Sequence, residues 1–150
     1  MKLIVSTIVL IIFANQISAQ EAGSKARLAF EHWWCMNLIE AMSESEASKL
    51  DDRFAKHFEL GMQYANEMMD ELTTNGDKNN DNWKGNAPMF WRWSLRGPSE
   101  DFIIGRLFEA TKNQANDEFY YNEKKEYLDE ELRNIEVSNE YRNRNCKILN

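Results

Sequence analysis

Residues that build β-strands are scarce in most of this chain. Residues 20–150 contain nine Val, Ile or Thr in total, and Val137 is the single valine among them. Strands are enriched in such β-branched residues, whereas the Met, Leu, Ala, Glu and Lys that dominate here favour helices. A length of 150 residues suits one ordinary domain. We therefore predict an all-α fold, a single-domain bundle of four to five helices.

The first nineteen residues have a different composition. Met1 and Lys2 give a positive start, residues 3–13 are almost wholly apolar, and the segment ends in the small residue Ala19. This order is typical of a secretory signal peptide and predicts cleavage after Ala19, which leaves a helical domain over residues 20–150. A membrane anchor is the alternative, although a span needs about twenty apolar residues. We expect a periplasmic or secreted protein with no stable membrane span after cleavage.

Acidic side chains outnumber basic ones. The chain has 25 Asp and Glu against 18 Lys and Arg, a net charge of −7. Loss of residues 1–19 removes one lysine and leaves a net charge of −8. Nucleic acids and anionic membranes are bound by basic faces, so neither is expected as a partner.

The two cysteines of the chain are far apart, at Cys35 and Cys146. An even pair in an exported chain predicts a disulfide, which here would join the first helix to the C-terminal end. Two free thiols are the alternative. Neither cysteine has the closely spaced Cys or His neighbours of a zinc site, so no metal site is predicted there.

Apolar residues recur at helical spacing in five stretches. The predicted helices cover residues 25–42, 45–72, 88–95, 98–115 and 117–135. The second is the long central helix of the predicted bundle, and Ser43 and Glu46 have the spacing of a capping box at its start. Residues 75–87 are a polar linker, and residues 138–150 are expected to be frayed apart from Cys146.

Small residues on the apolar faces indicate close packing. Gly61 lies on the apolar face of the long central helix, and Gly105 lies inside a later helix, where it costs up to ~1 kcal/mol relative to Ala. Because such a cost usually has a packing reason, we expect Gly61 and Gly105 to mark a close helix crossing. Ser99 is expected to cap that later helix, with Asp101 in its first turn, and Gly97 to stop the helix before it.

The sequence lacks the common catalytic motifs. It contains no GxSxG, HExxH, P-loop or GxGxxG motif. His32 and His57 could hold a metal together with a carboxylate, but His57 lies on an apolar face and is expected as a hydrogen-bonded core residue, with His32 at the surface. Asp101 and Glu109 lie on either side of Arg106, which we expect to pair with one of them. We predict no enzyme, no cofactor and no metal.

Tryptophan and arginine cluster at one place, where Trp91, Arg92, Trp93 and Arg96 fall within six residues. Such a cluster is typical of an interaction hot spot. It can also cover a core, with the arginine head groups in water. The function predicted is that of a small helical protein that binds a protein partner, as an inhibitor or immunity-like protein does. The alternative is a carrier of a small apolar ligand or lipid in a pocket between helices.

Residues 97–106, with the sequence Gly-Pro-Ser-Glu-Asp-Phe-Ile-Ile-Gly-Arg, carry a resemblance. The segment is similar to a GPS-x-DF-x-x-GR segment of small uncharacterised exported α-helical proteins of Gram-negative bacteria, and the similarity extends over residues 80–110. The resemblance implies periplasmic residence and a helical fold, and it carries no activity. The residues that it implies give the segment its shape are Gly97, Pro98, Asp101, Gly105 and Arg106.

Overall fold

The computed structural model describes residues 2–74 and 86–149, with side chains from residue 22 onward. Its helices are α1 (Lys2–Ala41), α2 (Glu44–Ala47), α3 (Asp51–Thr74), α4 (Glu100–Phe119) and α5 (Glu130–Asn143). Two 3-10 turns, Ser48–Leu50 and Met89–Trp93, lie between them. The predicted all-α single domain is confirmed. Most of the predicted polar linker, residues 75–85, lies outside the described residues.

The starts of α4 and α5 are set by side chains that satisfy free backbone N–H groups. The hydroxyl of Ser99 accepts a hydrogen bond from the N–H of Phe102 at 3.2 Å, which confirms Ser99 as the cap of α4. Asp129 does the same at α5, where its carboxylate accepts from the N–H groups of Glu131 and Leu132. Both helices also carry two acidic residues in their first turn, and these negative charges interact favourably with the positive end of the helix dipole.

The start of the predicted long helix differs from the expected capping box. Ser43 precedes α2 but makes no side-chain hydrogen bond to its backbone. The carboxylate of Glu46 instead pairs with Lys49 at 2.6 Å. The chain then passes through the Ser48–Leu50 turn before α3 begins at Asp51. One predicted helix is therefore three consecutive elements.

Helix α1, and not α3, is the centre of the bundle. It packs against α3, α4 and α5. Trp33 belongs to a core cluster shared with α3, α4 and Trp91, whereas its neighbour Trp34 belongs to a second cluster shared with α4 and α5. Because adjacent helix residues point about 100° apart, α1 can serve both clusters at once. Along the described part of the chain, no helix is both long enough and apolar enough to cross a membrane.

A disulfide between Cys35 and Cys146 joins α1 to the turn that follows α5, with 5.6 Å between the two Cα atoms. The predicted bridge is confirmed. The expectation that residues 138–150 are frayed apart from Cys146 is wrong for the described residues, because α5 continues to Asn143 and Tyr141 is buried. The disulfide and the buried Tyr141 hold this segment against α1.

The two glycines predicted at one helix crossing have unlike surroundings. A Cβ atom on Gly61 would lie 2.3 Å from Cδ1 of Trp33, so this glycine makes room for the indole ring of α1. Among residues 22–74 and 86–149, a Cβ on Gly105 would meet no atom within 4 Å. The expected crossing at Gly105 is therefore wrong, because α4 packs through the face that bears Ile103, Ile104 and Leu107, and Gly105 lies on the opposite side.

Candidate functional site

The Met89–Trp93 turn separates its two tryptophans. Trp91 is fully buried, and its indole N–H donates to the hydroxyl of Thr111 at 2.9 Å. Its ring lies 5.7 Å from that of Trp33, centroid to centroid. The side chain of Trp93, two residues later, is 78% exposed. Trp91 is thus a core residue, so its predicted binding role is wrong, while Trp93 remains available for a partner.

The exposed side of this turn joins the start of α4 in one surface. We call it the Trp93 surface, and its residues are Met89, Arg92, Trp93, Arg96, Phe102 and Arg106. Met89 and Phe102 are 75% and 49% exposed, and Arg92 and Arg96 are exposed as well. The turn and the first turns of α4 therefore contribute three large, exposed apolar side chains and three arginines to this surface.

Arg106 fixes the shape of the Trp93 surface. Its guanidinium donates to the carbonyl oxygen of Arg96 at 2.8 Å and to that of Trp93 at 3.3 Å. The same group lies 6.0 Å from the ring centroid of Phe102. Arg106 was expected to form an ion pair with one of the flanking acids. Instead it binds backbone, because the chain before α4 folds back over it and presents two carbonyls that need donors.

The two acids flanking Arg106 do not form a dry carboxylate pair. Asp101 is exposed in the first turn of α4, and Glu109 is exposed on the same helix. A carboxyl group that acts as a general acid typically lies in a dry pocket, whereas both of these carboxylates are exposed.

The bend between the Met89–Trp93 turn and α4 is tight. A Cβ on Gly97 would lie 2.3 Å from Cδ1 of Phe102, so only glycine lets the chain pass beneath that ring. Pro98 follows it at the surface, and Ser99 then starts α4. Gly97, Pro98 and Ser99 thereby position Phe102 beside Arg106.

This stretch is cationic in an acidic chain. Residues 82–99 contain Lys84, Arg92 and Arg96 and no Asp or Glu, although the whole chain has 25 acids in 150 residues. The nearest acids in sequence on the C-terminal side are Glu100 and Asp101, and the carboxylate of Glu100 accepts a hydrogen bond from Thr73 at 2.6 Å. The stretch of chain that contributes most of the Trp93 surface is therefore positively charged, whereas the chain as a whole is negatively charged.

A second unusual feature is a pair of buried histidines. His32 on α1 and His57 on α3 are both almost fully buried, with 2.9 Å between their Nδ1 atoms. The ring of His32 also stacks on that of Tyr64, with 5.5 Å between centroids. The expectation of a hydrogen-bonded core residue at His57 is confirmed. His32 was expected at the surface, but α1 is packed on two sides and buries it.

The hydrogen-bond partners determine the tautomers of the neutral pair. Nε2 of His57 lies 3.1 Å from the carbonyl oxygen of Cys146, which can only accept, so His57 carries its proton on Nε2. Its Nδ1 is then an acceptor, and His32 donates from Nδ1. Nε2 of His32 is left as a buried acceptor, and it has no hydrogen-bond partner among the described residues.

Burial keeps both rings neutral. Burial is the main cause that lowers the pKa of His32 from 6.5 to about 4, and the electrostatic effects of His57 and Lys56 make up the rest of that shift. The pKa of His57 is lowered mainly by burial, and the positive charges of Arg53 and Lys56 add to that effect, while the Cys146 carbonyl opposes it. Within residues 22–74 and 86–149, no three His, Cys, Asp or Glu residues cluster so as to hold a metal ion.

Comparison of the chain with family models, with curated proteins and with solved structures finds no match. The resemblance of residues 97–106 to exported proteins of Gram-negative bacteria stays a prediction. Function is therefore inferred from the surface and its charges.

Sequence reasoning missed three members of the Trp93 surface as contact residues. Met89 and Phe102 were not singled out from the sequence, and Arg106 was expected to form an ion pair. A signal for Phe102 was present, since it lies at the third position after the cap Ser99, where a first-turn side chain can point away from the core. No local signal distinguishes Trp91 from Trp93.

Proposed function

We propose that this chain is a small exported helical protein, periplasmic or secreted, that acts by binding a protein partner through the Trp93 surface. An inhibitor or immunity-like protein acts in this way. The observation that carries the proposal is the 78% exposure of Trp93 among arginines, on a turn anchored by the fully buried Trp91. Tryptophan and arginine are the residues most enriched in interface hot spots.

The backbone below Trp93 is already ordered, which favours binding. Trp91 fixes one side of the turn through Thr111, and Arg106 fixes the other through two carbonyls. Association loses less conformational entropy when the contact residues sit on a rigid support. An exposed indole on an anchored backbone is therefore suited to fill a pocket on a partner.

The charges indicate the chemistry of the partner. The Trp93 surface carries Arg92, Arg96 and Arg106 together with the exposed apolar side chains of Met89 and Trp93. A complementary surface has an apolar pocket for the indole and acidic side chains around it. The proposed partner is thus a protein with an acidic rim around such a pocket.

The Cys35–Cys146 disulfide supports the export part of the proposal, because disulfides persist in oxidising compartments. Mass spectrometry of the protein recovered outside the cytoplasm tests it. A chain that begins at Gln20 is expected, whereas recovery of the uncleaved chain would contradict the predicted signal peptide.

Partner binding is tested by capture from an envelope extract of the source cells with the tagged mature protein. The affinity of the captured protein is then measured for the wild type, for Trp93→Ser and for Arg92→Glu. We expect Trp93→Ser to weaken binding about thirty-fold or more, as hot-spot tryptophans do. Ile135→Ser, at a residue of α5 that is 54% exposed, is the matched control and should bind normally.

A melting curve for each variant checks that the fold is kept. Trp93 and Ile135 are both exposed, so neither substitution should lower the free energy of unfolding by more than about 0.5 kcal/mol. Equal affinity of wild type and Trp93→Ser would refute the proposed contact, and so would failure of the extract to yield a stoichiometric partner.

The carrier alternative gains no specific support. The clefts found in the described residues are open and lined largely by charged and polar side chains. The spaces between α1, α3 and α4 are filled by large side chains such as Trp33, Met68 and Leu107.

A further inference from the structure

A cleft of about 550 Å³ lies between the start of α3 and the turn that follows α5. Its lining residues are Lys49, Leu50, Asp52, Arg53, Lys56, Lys147 and Ile148. Four of these carry positive charge and one carries negative charge, in a chain with a net charge of −7. We call it the basic cleft, and it shares no residue with the Trp93 surface.

Sequence spacing explains one wall of the basic cleft. Lys49, Arg53 and Lys56 follow one another by four and three positions, which places their side chains on one side of the helical segment. Lys49 is paired with Glu46 at 2.6 Å, and this acid is not among the residues that line the cleft. Asp52 is the lining acid.

Lys147 on the other wall is brought there by long-range contacts. Cys146, its neighbour in sequence, is bridged to Cys35 of α1 and accepts a hydrogen bond from His57 at 3.1 Å. The guanidinium of Arg53 donates to the backbone carbonyl of Lys147 and so joins the two walls. The disulfide and the buried histidine therefore hold a fourth cation opposite α3.

The positive charges of this cluster affect the pKa of neighbouring groups. Arg53 and Lys56 both act to lower the pKa of His57, which lies behind the cleft. Arg53 also acts to lower the pKa of the buried Tyr141, although burial raises it overall. Like charges held together are mutually repulsive, and an anion bound between them relieves that repulsion.

We propose that the basic cleft binds a compact, multiply charged oxyanion of the phosphate class, either free or as the head group of a phospholipid. Arg53 supplies planar N–H donors suited to two oxygens of one phosphate, and Lys49, Lys56 and Lys147 supply point charges. Ile148, which is 70% exposed beside Lys147, gives the rim of the cleft an apolar contact for the rest of the ligand.

The test is titration of the oxidised mature protein with pyrophosphate and with inorganic phosphate at low ionic strength, followed by backbone amide shifts and by melting temperature. We expect saturable shifts at residues 49–56 and 146–148 and a rise in melting temperature. Arg53→Gln and Lys147→Gln should each weaken binding about tenfold, because each removes a charge-assisted contact.

Matched controls carry the same substitutions elsewhere. The controls are Arg142→Gln on α5 and Lys125→Gln, where the lysine side chain is 65% exposed. Each removes one positive charge from outside the cleft, and both variants should bind as the wild type does. Lys147 contributes its backbone carbonyl to the fold, which Lys147→Gln leaves in place, so this variant should keep the wild-type melting temperature without ligand.

Vesicles distinguish the two sources of phosphate. Sedimentation with phosphatidylcholine vesicles containing 20% phosphatidic acid, lost in Arg53→Gln and Lys147→Gln, would assign a lipid head group. Pyrophosphate binding with no sedimentation would assign a free ligand. Absence of both, or equal losses in the control variants, would overturn the proposal.

Discussion

Acidification from pH 7.5 to pH 5 is expected to destabilise the fold through the His32–His57 pair. These are the two histidines of the chain, and both are almost fully buried. In the unfolded chain each ring takes up a proton as the pH falls through its ordinary pKa of 6.5. In the native state burial and the charges of Lys56 and Arg53 oppose protonation.

The magnitude follows from the difference in pKa between the two states. The pKa of His32 is about 4 in the fold against 6.5 in the unfolded chain, so the unfolded state binds more protons between these values. The contribution of His32 to the free energy of unfolding is therefore fully present above pH 6.5, and it is lost as the pH falls toward 4. At pH 5 the loss from His32 alone is about 2 kcal/mol. His57 acts in the same direction, because its pKa is also lowered.

One carboxylate opposes this trend. Burial and the charge of Glu140 raise the pKa of Glu118, against the attraction of Arg144. Glu118 is exposed at the surface, so its contribution is weakened by solvent screening and does not cancel that of the histidines.

The assay is urea denaturation at pH 7.5, 6 and 5, followed by helical circular dichroism, with the disulfide intact. His32→Gln is the matching variant, because an amide can still donate to Nδ1 of His57 and does not titrate. It should lower stability at pH 7.5 and show a much shallower decline toward pH 5. Proton NMR of the ring signals gives the two titrations directly. Ring signals that titrate near 6.5, or an unchanged pH slope in His32→Gln, would refute the reasoning.

Two further predictions concern packing and the disulfide. Gly61→Ala should destabilise by about 1–3 kcal/mol because its methyl group would meet Trp33, whereas Gly105→Ala, in open space on an exposed helix face, should stabilise by about 0.5–1 kcal/mol. Urea titration of both variants checks this, and a Gly61→Ala protein as stable as the wild type would contradict the close contact. Replacing Cys35 and Cys146 by Ala should cost about 4–5 kcal/mol, as expected for opening a loop of about 110 residues. A loss below about 1 kcal/mol by the same titration would show that the bridge contributes little.

The parts of the fold that follow from composition and local chemistry were predictable. The scarcity of β-branched residues indicates helices throughout, and Ser99 caps α4 because its hydroxyl needs only the next turn of chain. The Cys35–Cys146 pairing follows from there being two cysteines to choose from. None of these predictions depends on which helix lies beside which.

Burial on a particular side of a helix was not predictable from local pattern. His32 lies in a stretch of α1 where buried residues point in almost every direction, because α3, α4 and α5 all pack against α1. Gly105 sits within an apolar segment, yet it lies on the face of α4 that no described residue covers. Trp91 and Trp93 have the same chemistry, and only the position of Thr111 on α4 decides which of them is inside.

The Trp93 surface could also be predicted only in part from the sequence. The sequence indicated tryptophan and arginine as contact residues, and Trp93, Arg92 and Arg96 are exposed accordingly. The role of Arg106 depends on two carbonyls that a bend in the chain presents to it, which no spacing rule encodes.

The bridge between Cys35 and Cys146 also imposes an order of events in time. Cys146 follows every described helix, and the second core cluster, around Trp34, requires α5 and Cys146 itself. Until that last stretch emerges from the ribosome or from a translocation channel, α1 has no complete set of neighbours. The core around Trp33, which α1 shares with α3 and α4, needs no residue after α4, whereas the cluster around Trp34 is completed only when the final cysteine is in place.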